Sequence, residues 1–318
     1  MFVIWNWLLM LLPFALWGTA MAAMAPLVDS AGPEVVASLR LLPAGVFVLI
    51  SVPFLGRKLF ISKGDLGWFF VFTLVDATFF QICLAKGIAG TGAGLGSVLI
   101  DSQPLIVALL ARVLFGDLIN PFGWIGLILG LVGILCLGVP SELLSNWLLM
   151  GNESTGEALL SHGELWMLAA AIAMAFGTVL IRFACKESDP VAVTGWHMVL
   201  GSIPLIFLHS VDNQWPFFPQ WNLSEWSLMA YASLFGGALA YGLFFWFANR
   251  EELTSFSTLA FLTPVFALVT GGIWLGERLY LLQWVGVVLI LISVLLVSQR
   301  GRLWVPETSE NSISGMSG

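Results

Sequence analysis

The sequence predicts an all-α membrane protein of ten transmembrane helices, arranged as two inverted five-helix repeats. Three observations carry that reading. Only 10% of the 318 residues are charged while 59% are hydrophobic, where a soluble domain carries roughly 25% charge to face water. Mean hydropathy is +0.96, and the apolar residues fall in blocks of about twenty, the length that crosses a hydrocarbon core. Residue pairs also recur between the two halves at a nearly constant offset.

The blocks must be helices. No water reaches backbone groups at membrane depth, so only helices and closed barrels span it. Barrel strands would be about ten residues of alternating polarity, whereas these runs are continuous. Glycine, proline and charge punctuate them. The predicted helices run near 6–28, 34–55, 65–87, 93–115, 121–140, 163–184, 190–210, 226–249, 255–275 and 281–299. The first begins without a preceding Lys or Arg and stays apolar from Trp5 to Val28. A signal peptide would show a basic n-region and a shorter apolar run. The stretch Ala20, Met21 and Ala22 is therefore expected to lie within a retained helix rather than at a cleavage site.

Between the fifth and sixth helices lies a polar, acidic connection with Glu142, Glu153 and Glu157. It divides the chain into a first repeat (1–140), an external loop (141–162), a second repeat (163–300) and a polar tail (301–318) of disordered composition. Pro104, Gly116, Asp117, Trp124 and Gly126 match Pro264, Gly276, Glu277, Trp284 and Gly286 at an offset of 160. Trp17, Gly18 and Thr19 match Phe176, Gly177 and Thr178 at 159. Five helices is an odd number, so the second repeat should enter the bilayer inverted, a common plan of secondary transporters. With the N-terminus in the cytoplasm, Arg57, Lys58, Lys63, Arg112, Arg182, Lys186, Arg250, Arg300 and Arg302 fall inside, against Lys86 and Arg278 outside. That bias places both termini in the cytoplasm.

Charges at membrane depth are expensive, about 2.5–3.5 kcal/mol on insertion scales, so Arg40, Asp76, Gln81 and Asp101 stand out. At ~1.5 Å per residue, Arg40, Gln81 and Asp101 should lie roughly 10 Å deep, and Asp76 nearer the midplane with no charged partner close in sequence. They read either as a polar layer lining a cavity or as an Arg40–Asp101 pair locking two helices. Opposite them the second half offers Trp196, His197, Tyr241 and Trp246, with Trp17 from the first helix. An aromatic wall facing a polar layer suits an amphipathic solute, although each aromatic taken singly is more simply a packing residue. His197 reads as a hydrogen-bonded core histidine before a titrating switch.

Gly123, Gly126, Gly130 and Gly133 form a small-residue stripe, better suited to packing within the chain than to a homodimer, though it fits both. Cys83, Cys136 and Cys185 show no paired or metal-ligand spacing.

The early Trp17 and Gly18, Arg40 within the second helix, and the repeated blocks Pro104–Asp117 and Pro264–Glu277 together resemble the drug/metabolite transporter superfamily, EamA type. The first block departs from the usual Gly-Glu in having Asp117, and His197 stands where the second repeat would mirror Arg40. The resemblance covers the chain apart from 141–162 and the tail. It implies a secondary transporter, often an exporter, of small metabolites such as amino acids or amphipathic compounds, working by alternating access around a cavity between the repeats. Its implied place is the bacterial inner membrane. An embedded enzyme is the first alternative. The chain, however, has only three histidines and no HExxH or other recognisable acid–base constellation. A structural or receptor-like membrane protein is the second alternative. The expected partners are a small-molecule substrate and the lipid bilayer. No cofactor is expected: there is no Gly-x4-Gly-Lys-Ser/Thr sequence for ATP, and Gly90, Gly92, Gly94 and Gly96 do not form GxGxxG. The absence of a basic run argues against nucleic acid.

Overall fold

The computed structural model describes residues 2–138, 162–211, 219–266 and 281–299. Among them there is no strand, and ten apolar helices follow one another. Helix α1 is Phe2–Ala31 and α2 is Pro33–Phe54. Helix α3 runs through Leu66–Phe72, a π-helical Thr73–Phe79 and Phe80–Ile100. Then come α4 (Gln103–Phe115), α5 (Pro121–Gly138), α6 (His162–Ala184) and α7 (Pro190–Val211). Helix α8 joins Leu223–Ser233, a π-helical Leu234–Leu239 and Ala240–Ala248. Helix α9 (Leu253–Phe266) contains a 3₁₀ turn at Leu259–Leu262, and α10 is Leu281–Ser298. Seven are long and apolar enough to cross a bilayer; α4, α5 and α9 are shorter over the described residues.

Local chemistry sets several of these ends. Gly32, at φ 84°, turns the chain into α2, whose first residue Pro33 lacks only an N–H that no helix start can use. Gly56 (φ 66°) follows α2, and Gly116 (φ 70°) caps α4 in the left-handed region that glycine enters without strain. The repeated Gly-Asp block thus acquires a role. Gly116 ends one helix, and the carboxylate of Asp117 next to it accepts from Thr254 Oγ1 (3.1 Å) in the first turn of α9. Its counterpart, Gly276 and Glu277, lies outside the described residues, as do residues 141–161 of the predicted 141–162 loop, the 301–318 tail and the end of the predicted ninth helix.

One predicted boundary is corrected. The break expected between 87 and 93 is not a break in hydrogen bonding: helix geometry continues to Ile100, and the interruption falls at Asp101 and Ser102. The chain nevertheless reverses there. Leu84 and Ile100 line one cavity, and Gly87 and Gly96 both pack on Met167, contacts a straight helix could not make. Small residues allow the sharp bend, and Gly90 lies so close to Gly163 that no side chain fits between them.

Polarity is distributed inside out. Phe54, Val113, Phe207 and Leu281 are largely exposed, while Asp76, Thr178, Thr194 and His197 are fully buried. Apolar surface on this scale would drive aggregation in water and is at home in lipid. The chain is an integral membrane protein. The glycine stripe of α5 packs within the molecule: Gly126 lies against Val297, Gly130 against Phe261 and Ser293, and Gly133 against Ile290.

Two groups of helix ends can be told apart by contact. Glu34 pairs with Lys86 (3.3 Å), Lys86 lies over Trp166, and Trp221 donates to Ser30. At the other group, Arg57 pairs with Asp189 (2.9 Å), Asp65 accepts from the Glu187 and Ser188 amides, and Arg182 donates to the Ala248 carbonyl.

Candidate functional site

A cavity of about 40 Å³ lies where the first and second halves meet, lined among others by Trp17, Arg40, Asp101, Gln103, Tyr241 and Thr263. One water needs roughly 10–15 Å³, so the space as it stands holds a few waters. Its wall repeats itself: Gln103 and Thr263 stand 160 positions apart, as do Ile100 and Ala260. Behind it, Gln81 Nε2 donates to the Tyr241 hydroxyl (2.9 Å), another pair separated by 160 positions. Positions matched between the halves thus meet in space.

The π-helical stretch in α8 explains how Arg40 is held. A π turn leaves carbonyls outside the ordinary i−4 ladder, and such turns gather at functional sites. The Gly236 carbonyl, inside that stretch, accepts from Arg40 Nη2 (3.2 Å) and from Trp17 Nε1 (3.0 Å). Arg40 Nη1 donates to Gln81 Oε1 (3.3 Å), and its guanidinium lies 5.6 Å from the Tyr241 ring centre. Its backbone carbonyl accepts from Ser233. Arg40 is 3% exposed, and its Nε has no partner; Asp101 is 5% exposed, and its Oδ2 likewise has none. A basic and an acidic side chain therefore face one cavity, each with unused hydrogen-bonding capacity.

Of the two readings of these residues, the Arg40–Asp101 lock is the one corrected. Among the described residues no ion pair joins them; Gln81 and a backbone carbonyl took the place of the carboxylate. Asp76, which has no charged partner close in sequence, meets one in space. Its Oδ2 lies 3.1 Å from His197 Nε2, with both side chains fully buried. The equivalent π-helical stretch of α3, Thr73–Phe79, carries Asp76 to this point. Gly177 leaves the necessary room, for a Cβ there would come within 2.1 Å of Asp76 Oδ1.

Trp196 and Trp246 do not join the cavity. Trp196 Nε1 donates to the Leu59 carbonyl (2.9 Å). Trp246 is sandwiched by Arg57 (3.9 Å) and Arg250 (3.4 Å). Both belong to the end that holds Arg57 and Asp189, where an indole keeps its body apolar and satisfies its N–H. Adjacent residues on a helix face apart, so with His197 inward, Trp196 points elsewhere. Trp17 and Tyr241, by contrast, meet at 5.1 Å in an aromatic cluster with Phe14 and Phe244.

Sequence reasoning passed over Gln103, Thr178 and Thr263. Gln103 Nε2 donates to Thr178 Oγ1 (3.0 Å), joining α4 to α6. The signal was present: Thr178 closes the Phe-Gly-Thr repeat, and Gln103 precedes the repeated proline. Among the described residues no group of three or more His, Cys, Asp or Glu side chains could hold a metal ion.

Apolar helices around a buried, charged cavity at the meeting of two similar halves define a polytopic membrane protein of the transporter class. A family model, the EamA-like transporter family, matches residues 4–139 and again 161–299. The chain belongs to that family. It is 47% identical over 299 residues to an uncharacterized transporter of Synechocystis sp., covering 93% of this chain and 90% of that one. It is 43% identical to a chloroplastic WAT1-related protein of Arabidopsis thaliana, covering 92% and 69%. A crystal structure 16% identical shares the fold, with a TM-score of 0.72 over 93% of this chain and 98% of the other. The chain is a membrane transporter, as the family and its relatives' names indicate.

Proposed function

We propose that the protein is a secondary transporter that exports small zwitterionic or amphipathic metabolites, such as amino acids, by alternating access. The observation that carries this reading is a buried arginine and a buried aspartate on one cavity, each with one side-chain atom left unpartnered. Arg40 would take a substrate's anionic group and Asp101 its cationic group, with Trp17 and Tyr241 against the apolar body. Ligand sites typically span about 300–1,000 Å³, so a 40 Å³ cavity has to widen to load. Gln81 positions Arg40, and Asp76 and His197 stand beside the site.

Ten crossings in two inverted repeats, 1–140 and 163–300, fit this reading, with 141–162 as an external loop and 301–318 as a cytoplasmic tail. The contacts at helix ends support inversion. The α2–α3 connection meets the α6–α7 connection through Arg57–Asp189 and Asp65–Ser188. A second helix of one half and a first helix of the other thus end on the same side. The Lys/Arg asymmetry supports cytoplasmic termini in a bacterial inner membrane.

Counterflow in sealed vesicles tests the proposal. Protein loaded with unlabelled amino acids should accumulate the matching labelled one, and Arg40→Ala and Asp101→Asn should each abolish accumulation while inserting normally. Conversion of a substrate without flux would point to an embedded enzyme instead.

A further inference from the structure

Asp76 and His197 lie beside the cavity but outside its lining, and both ring nitrogens of His197 are committed. Nδ1 is 2.5 Å from the Thr194 carbonyl. A carbonyl only accepts, so Nδ1 carries a hydrogen. The neutral ring then presents a bare, accepting Nε2, and that atom sits 3.1 Å from Asp76 Oδ2. A carboxylate also only accepts. Two acceptors do not hold this separation in a dry interior, so one proton lies between them. The ring is an imidazolium facing a carboxylate, or the carboxyl donates to a neutral ring. Either way the pair holds one extra proton and has no net charge.

Among the described residues the surroundings supply no other compensation. Phe72 stacks on the imidazole at 4.4 Å and Phe245 meets it edge-on at 5.5 Å. From α6, Gly177 abuts the carboxylate, while that helix's Arg182 turns away to the Ala248 and Glu251 carbonyls. From α8 the titratable neighbour is Tyr241, bonded to Gln81. From α2, Arg40 is bonded to Gln81 and Gly236, and Arg57 to Asp189 at the start of α7. On α3 itself Lys86 is paired with Glu34. None of these is bonded to Asp76, whose Oδ1 has no partner.

We propose that Asp76 and His197 form a binding site for a single proton that latches α3 of the first half to α7 of the second. It is a site separate from the substrate cavity, and its use in transport rests on the reading given above. Losing the proton sets a buried carboxylate against a lone pair, and the pair must part. The proton leaves to whichever aqueous side the parted pair then faces. The helices are in close contact at the same level, with Thr78 donating to the Gly201 carbonyl (2.9 Å) and Gly201 packed on Ala77. Parting there loosens the contact between halves, and a transporter latched this way couples its cycle to protons.

The test uses the full chain reconstituted in vesicles, with the proton alone as ligand. Infrared difference spectra between mildly acidic and alkaline buffer should show one titrating carboxyl–imidazole signal. Hydrogen exchange, corrected for its intrinsic pH dependence, should rise in α3 and α7 peptides on the alkaline side. Asp76→Asn keeps a hydrogen bond, because its amide donates to the bare Nε2, but carries no titratable latch proton. It should lose both responses. The same signal persisting in D76N, or no titration in the wild type, would overturn the site. If D76N does not fold, His197→Gln must abolish the imidazole part of the signal, and its retention would overturn the proposal equally. Titration as expected in a protein that shows no counterflow would uphold the proton site and contradict the proposed transport of zwitterions.

Discussion

Arg40 has more partners than any other buried charge near the cavity, and they explain why it need not be paired with an acid. Two guanidinium nitrogens donate, to Gln81 and to the Gly236 carbonyl, in a fixed planar arrangement that a lysine cannot reproduce. Arg40→Lys keeps the charge and loses one of those bonds. It should lower thermal stability in detergent by about 1.5–3 kcal/mol, the worth of a hydrogen bond to a charged group, and reduce counterflow more than it reduces yield. A lysine variant with wild-type flux would mean that the charge alone matters. Gly177 makes the second prediction at this scale. Its missing Cβ is the space filled by the Asp76 carboxylate. Gly177→Ala should cost about 1–3 kcal/mol through overpacking and alter the Asp76–His197 signal. An alanine variant with unchanged melting and an unchanged spectrum would show that the carboxylate can sit elsewhere. At this scale the sequence marked which residues were costly to bury, because a charge inside an apolar run is conspicuous. It could not say whom they meet. Arg40 and Asp101 share a depth but not a bond, and the acceptor that Arg40 found is a backbone carbonyl freed by local geometry, which no side-chain pattern encodes.

Among the helices, the two π-helical stretches are the features with the largest effect on the site and the weakest trace in sequence. Thr73–Phe79 and Leu234–Leu239 occupy matching parts of α3 and α8. One carries Asp76 towards His197, the other offers the Gly236 carbonyl to Arg40 and Trp17. Hydropathy reads both as ordinary apolar helix, since a single-turn change of ladder alters no composition. Between the third and fourth helices the chain turns where the glycine run suggests, but its helical hydrogen bonding is interrupted later. A glycine run reads as a break, yet here it forms a bend that keeps its hydrogen bonds, and the real interruption lies beside Asp101. The stripe of α5 was legible, because spacings of three and four leave one face smooth. It is occupied by α10 and by Phe261 of α9. Gly130→Ala would place a methyl within 2.2 Å of the Phe261 ring and 2.6 Å of Ser293 Oγ. We expect a lower melting temperature and an unchanged oligomeric state by light scattering. A variant that melts normally but changes in mass would instead mean that the stripe serves contact between copies.

For the whole molecule, the decisive question is which way each half faces the membrane, and two independent lines bear on it. The first is charge. Nine Lys and Arg residues fall on one predicted side and two on the other, and basic residues near helix ends remain on the cytoplasmic side. The second is contact. The ends that gather around Arg57, Asp189 and Arg182 are those the charge count places inside. Those around Lys86, Glu34 and Trp166 are those it places outside. A parallel arrangement of the halves would bring the α2–α3 connection to the side of the α7–α8 connection, and Arg57 could not reach Asp189. A reporter active only in the cytoplasm should therefore work when fused after Arg302 and fail when inserted at Glu153, while one active only outside should behave in reverse. Inserted at Lys63 and at Lys186 the cytoplasmic reporter should work in both, since those two connections share a side. Cytoplasmic activity at Lys63 but not at Lys186 would separate two connections that the Arg57–Asp189 pair joins. Activity at both Arg302 and Glu153 would give the second half an even number of crossings, and the inverted repeat would fail with it.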